Sequence, residues 1–488
     1  MKKTIAIIGS GFSALAASCY LAQQGNKVTI YEKNDSIGGR ARQFKKDGFT
    51  FDMGPSWYWM PDVFESFFND FDKTTSDYYE LIKLNPAYSV YFGIDDFINI
   101  YDNLEEIKIT FEQIEKGSGD KLQSFINQAK SNYDIAIKDL VYRPGISPLE
   151  LITKETALKL NQFFGTVSND IRKKFKNQKL VQILEFPVLF LGAKPSKTPS
   201  FYNFMNYADF GLGTWHPKTG MFDVVRGLQK LATELGVTIE TNAAIEKIIV
   251  ENNTATGIII NGKSINADIV LSGADYHHTE TLLDEEHRVY SEKYWDSRVF
   301  APSSLLFFVG FNKKIENVTH HALFFDVDFN QHAADIYDNP KWPEAPLFYA
   351  NFPSKTDETA APDGMESGFF LIPLAPGIKD TEELREIYFE KIITRFETLT
   401  QQEIKNNIIF KKSFCKNDFV TDYNAYKGNA YGMANTLLQT AFLRPKLKSK
   451  KIKNLYFTGQ LTVPGPGVPP ALISGKLVAE LIQKYIRS

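Results

Sequence analysis

Apolar residues along this chain follow two main rhythms, which separate strands from helices. Residues 5–8 (Ile-Ala-Ile-Ile) are a short apolar run of strand length, and Gly9 follows at once. Leu15, Ala17 and Leu21 then mark an amphipathic helix, and residues 28–31 predict a second strand ending at Glu32. Residues 110–185 hold few glycines or prolines and long mixed-charge stretches, a helical pattern. Within them Leu160, Phe164, Val167, Ile171 and Phe175 fall on one helical face. Val224, Val225, Leu228, Leu231 and Leu235 place a helix over 221–235, closed by Gly236. Strands follow at 237–240, 245–250, 255–260 and 269–271, with Asn252-Asn253 and Asn261-Gly262 as turns. Residues 300–440 mix both rhythms. The stretch 454–459 is a buried-strand pattern ending in Gly459, and 469–486 is a terminal helix. There is no internal repeat.

The first strand, turn and helix carry chemistry. Gly9 and Gly11 permit a tight turn and close approach of backbone to a pyrophosphate, and Ala14 lets the helix pack on the sheet. The free N–H groups and dipole of that helix face the negative charge. Glu32, at the end of the second strand, is placed to accept from the ribose hydroxyls of an adenosine. Gly38-Gly39-Arg40 follows a few residues later. At the other end, residues 462–470 form a Gly/Pro-rich loop opening the last helix. A positive helix end there would stabilise negative charge on a ring as it is reduced.

The early arrangement resembles the two-dinucleotide-binding flavoproteins, where a GG doublet and its arginine lie along FAD. The chain as a whole resembles the carotenoid desaturases of the bacterial phytoene-desaturase type, over essentially its full length. The resemblance rests on residues 9–14, Gly38-Gly39-Arg40-Ala41, residues 51–55, 215–221, 274–278 and 438–444, and on the proline-glycine loop 464–469. It implies an α/β fold: a Rossmann-like FAD domain with a discontinuous α+β, membrane-associated substrate domain. The expected division is 1–80, 220–290 and 445–488 for FAD, and 81–219 and 291–444 for substrate. The implied cofactor contacts are Gly9, Gly11, Ser13, Ala14, Glu32, Gly39, Arg40, Ala41, Gly54, Pro55, Ser56, Ile245, Gly459, Gly467, Val468 and Pro469. The implied activity is desaturation of phytoene towards lycopene, a C40 polyene losing hydride to flavin. A quinone or oxygen is then the final electron acceptor. No catalytic acid or base is assigned: the segment around Lys154 and Glu155 aligns ambiguously, and His277-His278 fits a structural role better. Gln460 stands where many relatives have Ala-Gly.

Composition narrows this further. A net charge of -3 argues against a nucleic-acid partner. Only Cys19 and Cys415 occur, with no metal-spaced Cys/His cluster, which points to a reducing compartment and no metal. No apolar run is long enough for a spanning helix, so the expectation is a peripheral protein on the cytoplasmic side of the cell membrane. The docking candidates are the 160–175 helix with Arg172, Lys173, Lys174, Lys176 and Lys179 at its end, and the basic run Arg444, Lys446, Lys448, Lys450, Lys451 and Lys453. An aromatic content of 14% is explained by compositional bias or by a cavity for a greasy substrate. The alternatives are a desaturase of a hydroxylated carotenoid, a carotenoid isomerase or saturase, an amine oxidase, and a lipid-binding escort protein without flavin.

Overall fold

The computed structural model describes residues 2–488, without the side chains of Leu160, Phe190 and Leu191. Thr4–Ile8 is the centre of a five-stranded sheet in the order Leu455–Phe457, Ile269–Ser272, Thr4–Ile8, Lys27–Tyr31, Thr238–Glu240. All its pairings are parallel. Parallel strands are covered on both faces, which is why 5–8 reads as a continuous apolar run. Ile5 and Ile7 face the helices Phe12–Gln23, Phe222–Glu234 and Val468–Arg487. Ala6 and Ile8 face a three-stranded antiparallel sheet made of Ile245–Glu251, Thr254–Ile260 and Lys263–Asn266.

The helix layer is close-packed by small residues. A Cβ on Gly475 would stand 2.6 Å from the Ser13 carbonyl and 2.8 Å from Ala16 Cβ, so only glycine lets the first and last helices approach this closely. Ala14 meets Gly273 in the same way, at 2.8 Å from a Cβ built there. Its small size serves helix–sheet packing.

A seven-stranded sheet forms the second layer system, in the order Ile408–Phe414, Ser303–Phe311, Glu366–Leu374, Phe348–Asn351, His321–Phe324, Tyr88–Gly93, Asp96–Ile100. One face buries Phe307, Val309, Phe370 and Ile372 against the helix Glu382–Thr400. Alternation turns the neighbouring residues to the opposite face. There Leu306, Leu371, Tyr349 and Leu323 pair across four strands as one row. Ser304 and Pro373 pair in the next. Ile137, Phe163, Phe186 and Met205, from the helical stretch between Leu104 and Phe210, line one space with that face.

The structure corrects three expectations. Residues 160–175 are two short helices, Leu160–Phe164 and Val167–Lys174, broken at Gly165. Val167, Ile171 and Phe175 are buried in the core while Phe164 is 76% exposed, so they share no outward face; the Leu160 side chain lies outside the described residues. The basic residues following them are mostly engaged within the fold, Arg172 with Glu185, Lys174 with Asp170 and Lys179 with Asp96. Arg444 is likewise buried, donating to the carbonyls of Met433 and Gln460 and to Asn435, so the 444–453 run is not one solvated patch. Among the described residues no helix is long and apolar enough to cross a membrane.

Candidate functional site

The carboxyl ends of the parallel strands open into one cavity of about 1040 Å³. It runs from the glycine turn to the Leu306–Leu371–Tyr349–Leu323 floor. Of the sequence-derived candidates, all but Ala14 border it. Ala14 is fully buried behind the turn, and its part is the packing on Gly273.

At the turn, Gly9 has φ +83° and its backbone N–H donates to the Tyr31 carbonyl at 2.8 Å. Gly11 caps the helix Phe12–Gln23 with φ −69° and ψ 172°, and a Cβ built on it meets no atom within 4 Å. That open space at a helix N-terminus is where a pyrophosphate fits. Gly39 has φ +55°, and its Cβ would stand 3.3 Å from Gly11 Cα, which closes the other side of the same space.

Glu32 is buried and already well bonded. Oε2 accepts from the Ser10 N–H at 3.0 Å and its hydroxyl at 2.6 Å; Oε1 accepts from the Asn34 N–H and side-chain amide. Ribose hydroxyls reaching Glu32 would share these oxygens with Ser10 and Asn34. Ile245 and His278 border this end. Burial pushes the His278 imidazole down to about 4, so it is neutral, and Asp275 caps its helix by accepting from the His277 and His278 N–H groups. His277 turns outward to Glu292 at 3.0 Å. The pair is therefore helix architecture at a cavity edge.

Arg40 lies inside the fold. Its guanidinium stacks over Tyr423 and donates to the Asn429 carbonyl at 3.2 Å, while its Nε is buried with no partner among the described residues. Gln460 supplies the rest: with its amide oxygen toward Arg40 it accepts from Nη2 at 3.0 Å and Nη1 at 3.3 Å. This gives Gln460 a role that the sequence did not reveal, because the two residues are 420 positions apart. A Cβ on Gly54 would stand 2.1 Å from the Arg40 carbonyl, which fixes glycine there. Pro55 and Ser56 continue the wall toward the apolar floor.

The C-terminal loop brings Gly459, Gly467, Val468 and Pro469 to the same cavity. Gly467, at φ +117°, precedes the helix Val468–Arg487. Pro469 and Pro470 carry no N–H, so the first turn offers fewer donors than a Gly/Pro-rich loop suggests, and the helix dipole carries more of the effect. Lys154 and Glu155 sit exposed on the helix Lys154–Leu158 and do not border the cavity.

The unpartnered Arg40 Nε, the open space at Gly11 and the glycine-lined approach fit a dinucleotide. Beyond Ser56 the walls become apolar and aromatic: Trp57, Trp59, Phe186, Phe325, Leu347 and Leu371.

Comparison with known proteins agrees with this geometry. The family model for flavin containing amine oxidoreductases matches residues 12–483. A carotenoid 3,4-desaturase from Haloarcula japonica is 40% identical over 482 residues, covering 98% of this chain and 97% of that protein. A 4,4'-diapophytoene desaturase (4,4'-diaponeurosporene-forming) from Staphylococcus haemolyticus is 33% identical, covering 99% of both chains. The crystal structure of an oxidoreductase from Methanosarcina mazei superposes with a TM-score of 0.64 at 16% identity, covering 98% of this chain and all of that one. The chain belongs to the flavin-containing amine oxidoreductase family, on its carotenoid-desaturase side; it is an oxidoreductase and its cofactor is FAD.

Proposed function

We propose that the chain desaturates an acyclic carotenoid, with FAD held by Gly9, Gly11, Glu32, Gly39, Arg40, Gly459 and Gly467. The observation that carries this reading is the continuity of the cavity. One space joins the pyrophosphate turn to an apolar floor, so a hydrocarbon chain can lie against the ring end of the cofactor. When bound, FAD accepts hydride from the chain. The protein's part is positional. Leu306, Leu371 and Leu323 offer apolar surface without hydrogen-bond demand; keeping hydrocarbon out of water is worth about 25 cal/mol per Å², and a wall this apolar preserves that value for a chain leaving an apolar phase. The names of the Haloarcula and Staphylococcus relatives, a carotenoid 3,4-desaturase and a 4,4'-diapophytoene desaturase, support a carotenoid substrate. Phytoene, desaturated towards lycopene, is the C40 form of that reading.

The substrate comes from a bilayer, and the cavity rim suits one. Ile146, Leu149, Ile152, Leu158, Phe164 and Leu438 are 64–78% exposed. They belong to the segments that also give the cavity Gly145, Leu151, Phe163 and Leu437. We place the protein peripherally on the cytoplasmic leaflet through this rim, with quinone or oxygen reoxidising the flavin. A hydroxylated carotenoid is the second reading. Ser304, Tyr337 and Tyr431 bring three hydroxyl groups to an otherwise greasy wall.

The test is product analysis after expression in cells that accumulate phytoene and, separately, in cells that accumulate lycopene. New chromophores of longer wavelength support the reading. Flavin-loaded protein that changes neither pool refutes it.

A further inference from the structure

Next to the ring end of the cavity lies a cluster of polar groups that the apolar floor does not need. The Tyr349 hydroxyl bonds Ser56 Oγ at 2.9 Å on the cavity side and His321 Nδ1 at 2.7 Å on the other. His321 is stacked on Trp57, with ring centroids 4.1 Å apart. Asn351 Nδ2 approaches the same Nδ1 at 3.3 Å and donates to the His320 carbonyl at 3.0 Å. His320 lies 4.5 Å from His321 and 4.4 Å from His216, centroid to centroid. All three imidazoles are buried, and four of their nitrogens have no partner among the described residues: both of His216, and Nε2 of His320 and of His321. Buried polar atoms left open are costly and ask for an explanation.

A second, small chamber of about 20 Å³ gives one for His216, whose ring borders it. It is bounded by Ser56, His216 and Asn351, and by the carboxyls Asp52 and Asp357. That volume is enough for about one water. We propose that Ser56, Tyr349 and His321 form a relay that carries the proton released by desaturation from the cavity wall into the histidine cluster, whose His216 borders this chamber.

The inference rests on the carotenoid-desaturase reading. Desaturation breaks two C–H bonds. One hydrogen leaves with both electrons to FAD, the oxidant; the electron pair of the other bond closes the new C=C, and its proton must depart. Ser56 Oγ takes that proton as it passes its own to Tyr349, Tyr349 passes its own to His321 Nδ1, and the ring gives up the proton on its open Nε2. In the structure Tyr349 donates to Ser56. Turning the two hydroxyls, with the His321 proton on Nε2, reverses the chain, so that Ser56 donates to Tyr349 and Tyr349 to His321 Nδ1. Burial keeps all three histidines neutral, His216 down to about 4 and His320 and His321 well below their usual range. A weakly basic imidazole hands a proton on instead of storing it. Asp52, pushed up to about 6 by burial, and Asp357, also raised by burial, are the acceptors beyond.

The test uses FAD-loaded protein with phytoene in liposomes, mixed without oxygen, and follows bleaching of the flavin. Tyr349→Phe and Ser56→Ala are expected to bleach about 100-fold more slowly than wild type. Ser56→Thr, which restores the hydroxyl, is expected to stay near the wild-type rate, with a solvent deuterium effect that Ser56→Ala lacks. Flavin content and thermal unfolding check that each variant folds; if Tyr349→Phe loses flavin, the Ser56 pair decides. A second readout needs no turnover: the 15N signals of the His321 imidazole should move in Tyr349→Phe and not in Ser56→Thr. Wild-type bleaching rates in both Ser56→Ala and Tyr349→Phe overturn the relay, as does a His321 signal that ignores loss of the Tyr349 hydroxyl. If no polyene bleaches even the wild-type flavin, the substrate reading falls instead, and the imidazole signals alone decide the relay.

Discussion

Gly11→Val separates the ligand from the fold more cleanly than any other single change. Its φ of −69° and ψ of 172° are ordinary extended backbone, so valine is not strained there. A Cβ meets nothing within 4 Å, so no protein atom has to move. Valine is a poorer helix N-cap than glycine, so the cost to the flavin-free protein should be about 1 kcal/mol, small beside the loss of ligand stabilisation. The larger cost falls on FAD binding, because the two methyls fill the space against which the pyrophosphate must lie. Wild type in FAD at 100 times its Kd gains about 2.7 kcal/mol of stability by mass action. The variant should lose nearly all of that gain. The assay is thermal unfolding of stripped protein with and without added FAD, alongside the flavin absorbance of the purified protein. The expected result is a slightly lower midpoint for the variant without FAD and a stabilising shift on adding FAD in wild type alone. Normal flavin content, or an undiminished shift, would refute the placement of the pyrophosphate at Gly11.

Other substitutions probe other levels. Gly475→Ala should destabilise the protein by about 1–3 kcal/mol through overpacking against Ser13 and Ala16, read as a lower unfolding midpoint with flavin present. Replacing Leu158, Phe164 and Leu438 by serine should weaken partition into vesicles by about 1–2 kcal/mol each, since each is 75–78% exposed and contributes little to the core; co-sedimentation equal to wild type would remove the rim as a docking surface. Asp209 is buried, accepts from the Tyr88 hydroxyl at 2.7 Å, and is pushed up to about 8 by that burial. Its folded value lies above its unfolded one, so its contribution to stability is full below about pH 4 and is lost as pH rises through about 8. Asp209→Asn should therefore flatten the fall in stability between pH 5 and 8, measured by denaturant unfolding; an unchanged pH profile would show that the carboxyl is not held protonated.

The nucleotide end was legible because its signals are local. A strand, two glycines, a small residue and an acid within thirty positions report directly on backbone conformation and packing. The cavity's other features are assembled from a distance. Arg40 meets Gln460, and Arg444 finds its carbonyls on Met433 and Gln460, only after the last strand has paired. His216 comes from one segment and the adjacent His320 and His321 from another, about 100 positions later, with nothing in that spacing to announce the cluster. The 160–175 periodicity misled for a related reason: five residues of helical phase do not show that Gly165 resets the chain, turning Val167 inward and leaving Phe164 outside. Ala14 was read as small so that the helix can pack on the sheet, and Gly273 is the residue it packs on.

The parallel sheet has a consequence for the order of assembly. Leu455–Phe457 pairs with Ile269–Ser272, and the helix Val468–Arg487 packs on Phe12–Gln23. The residues that finish the flavin site thus come after every other wall of the cavity, more than 400 positions beyond the glycine turn. Until they emerge, the greasy floor exists without the wall that covers its redox end, and the nascent chain presents apolar surface with long-range contacts still unmade. Flavin uptake becomes a late proofreading event in synthesis: chains truncated before residue 455 should be retained by chaperones and colourless, whatever the quality of their first forty residues.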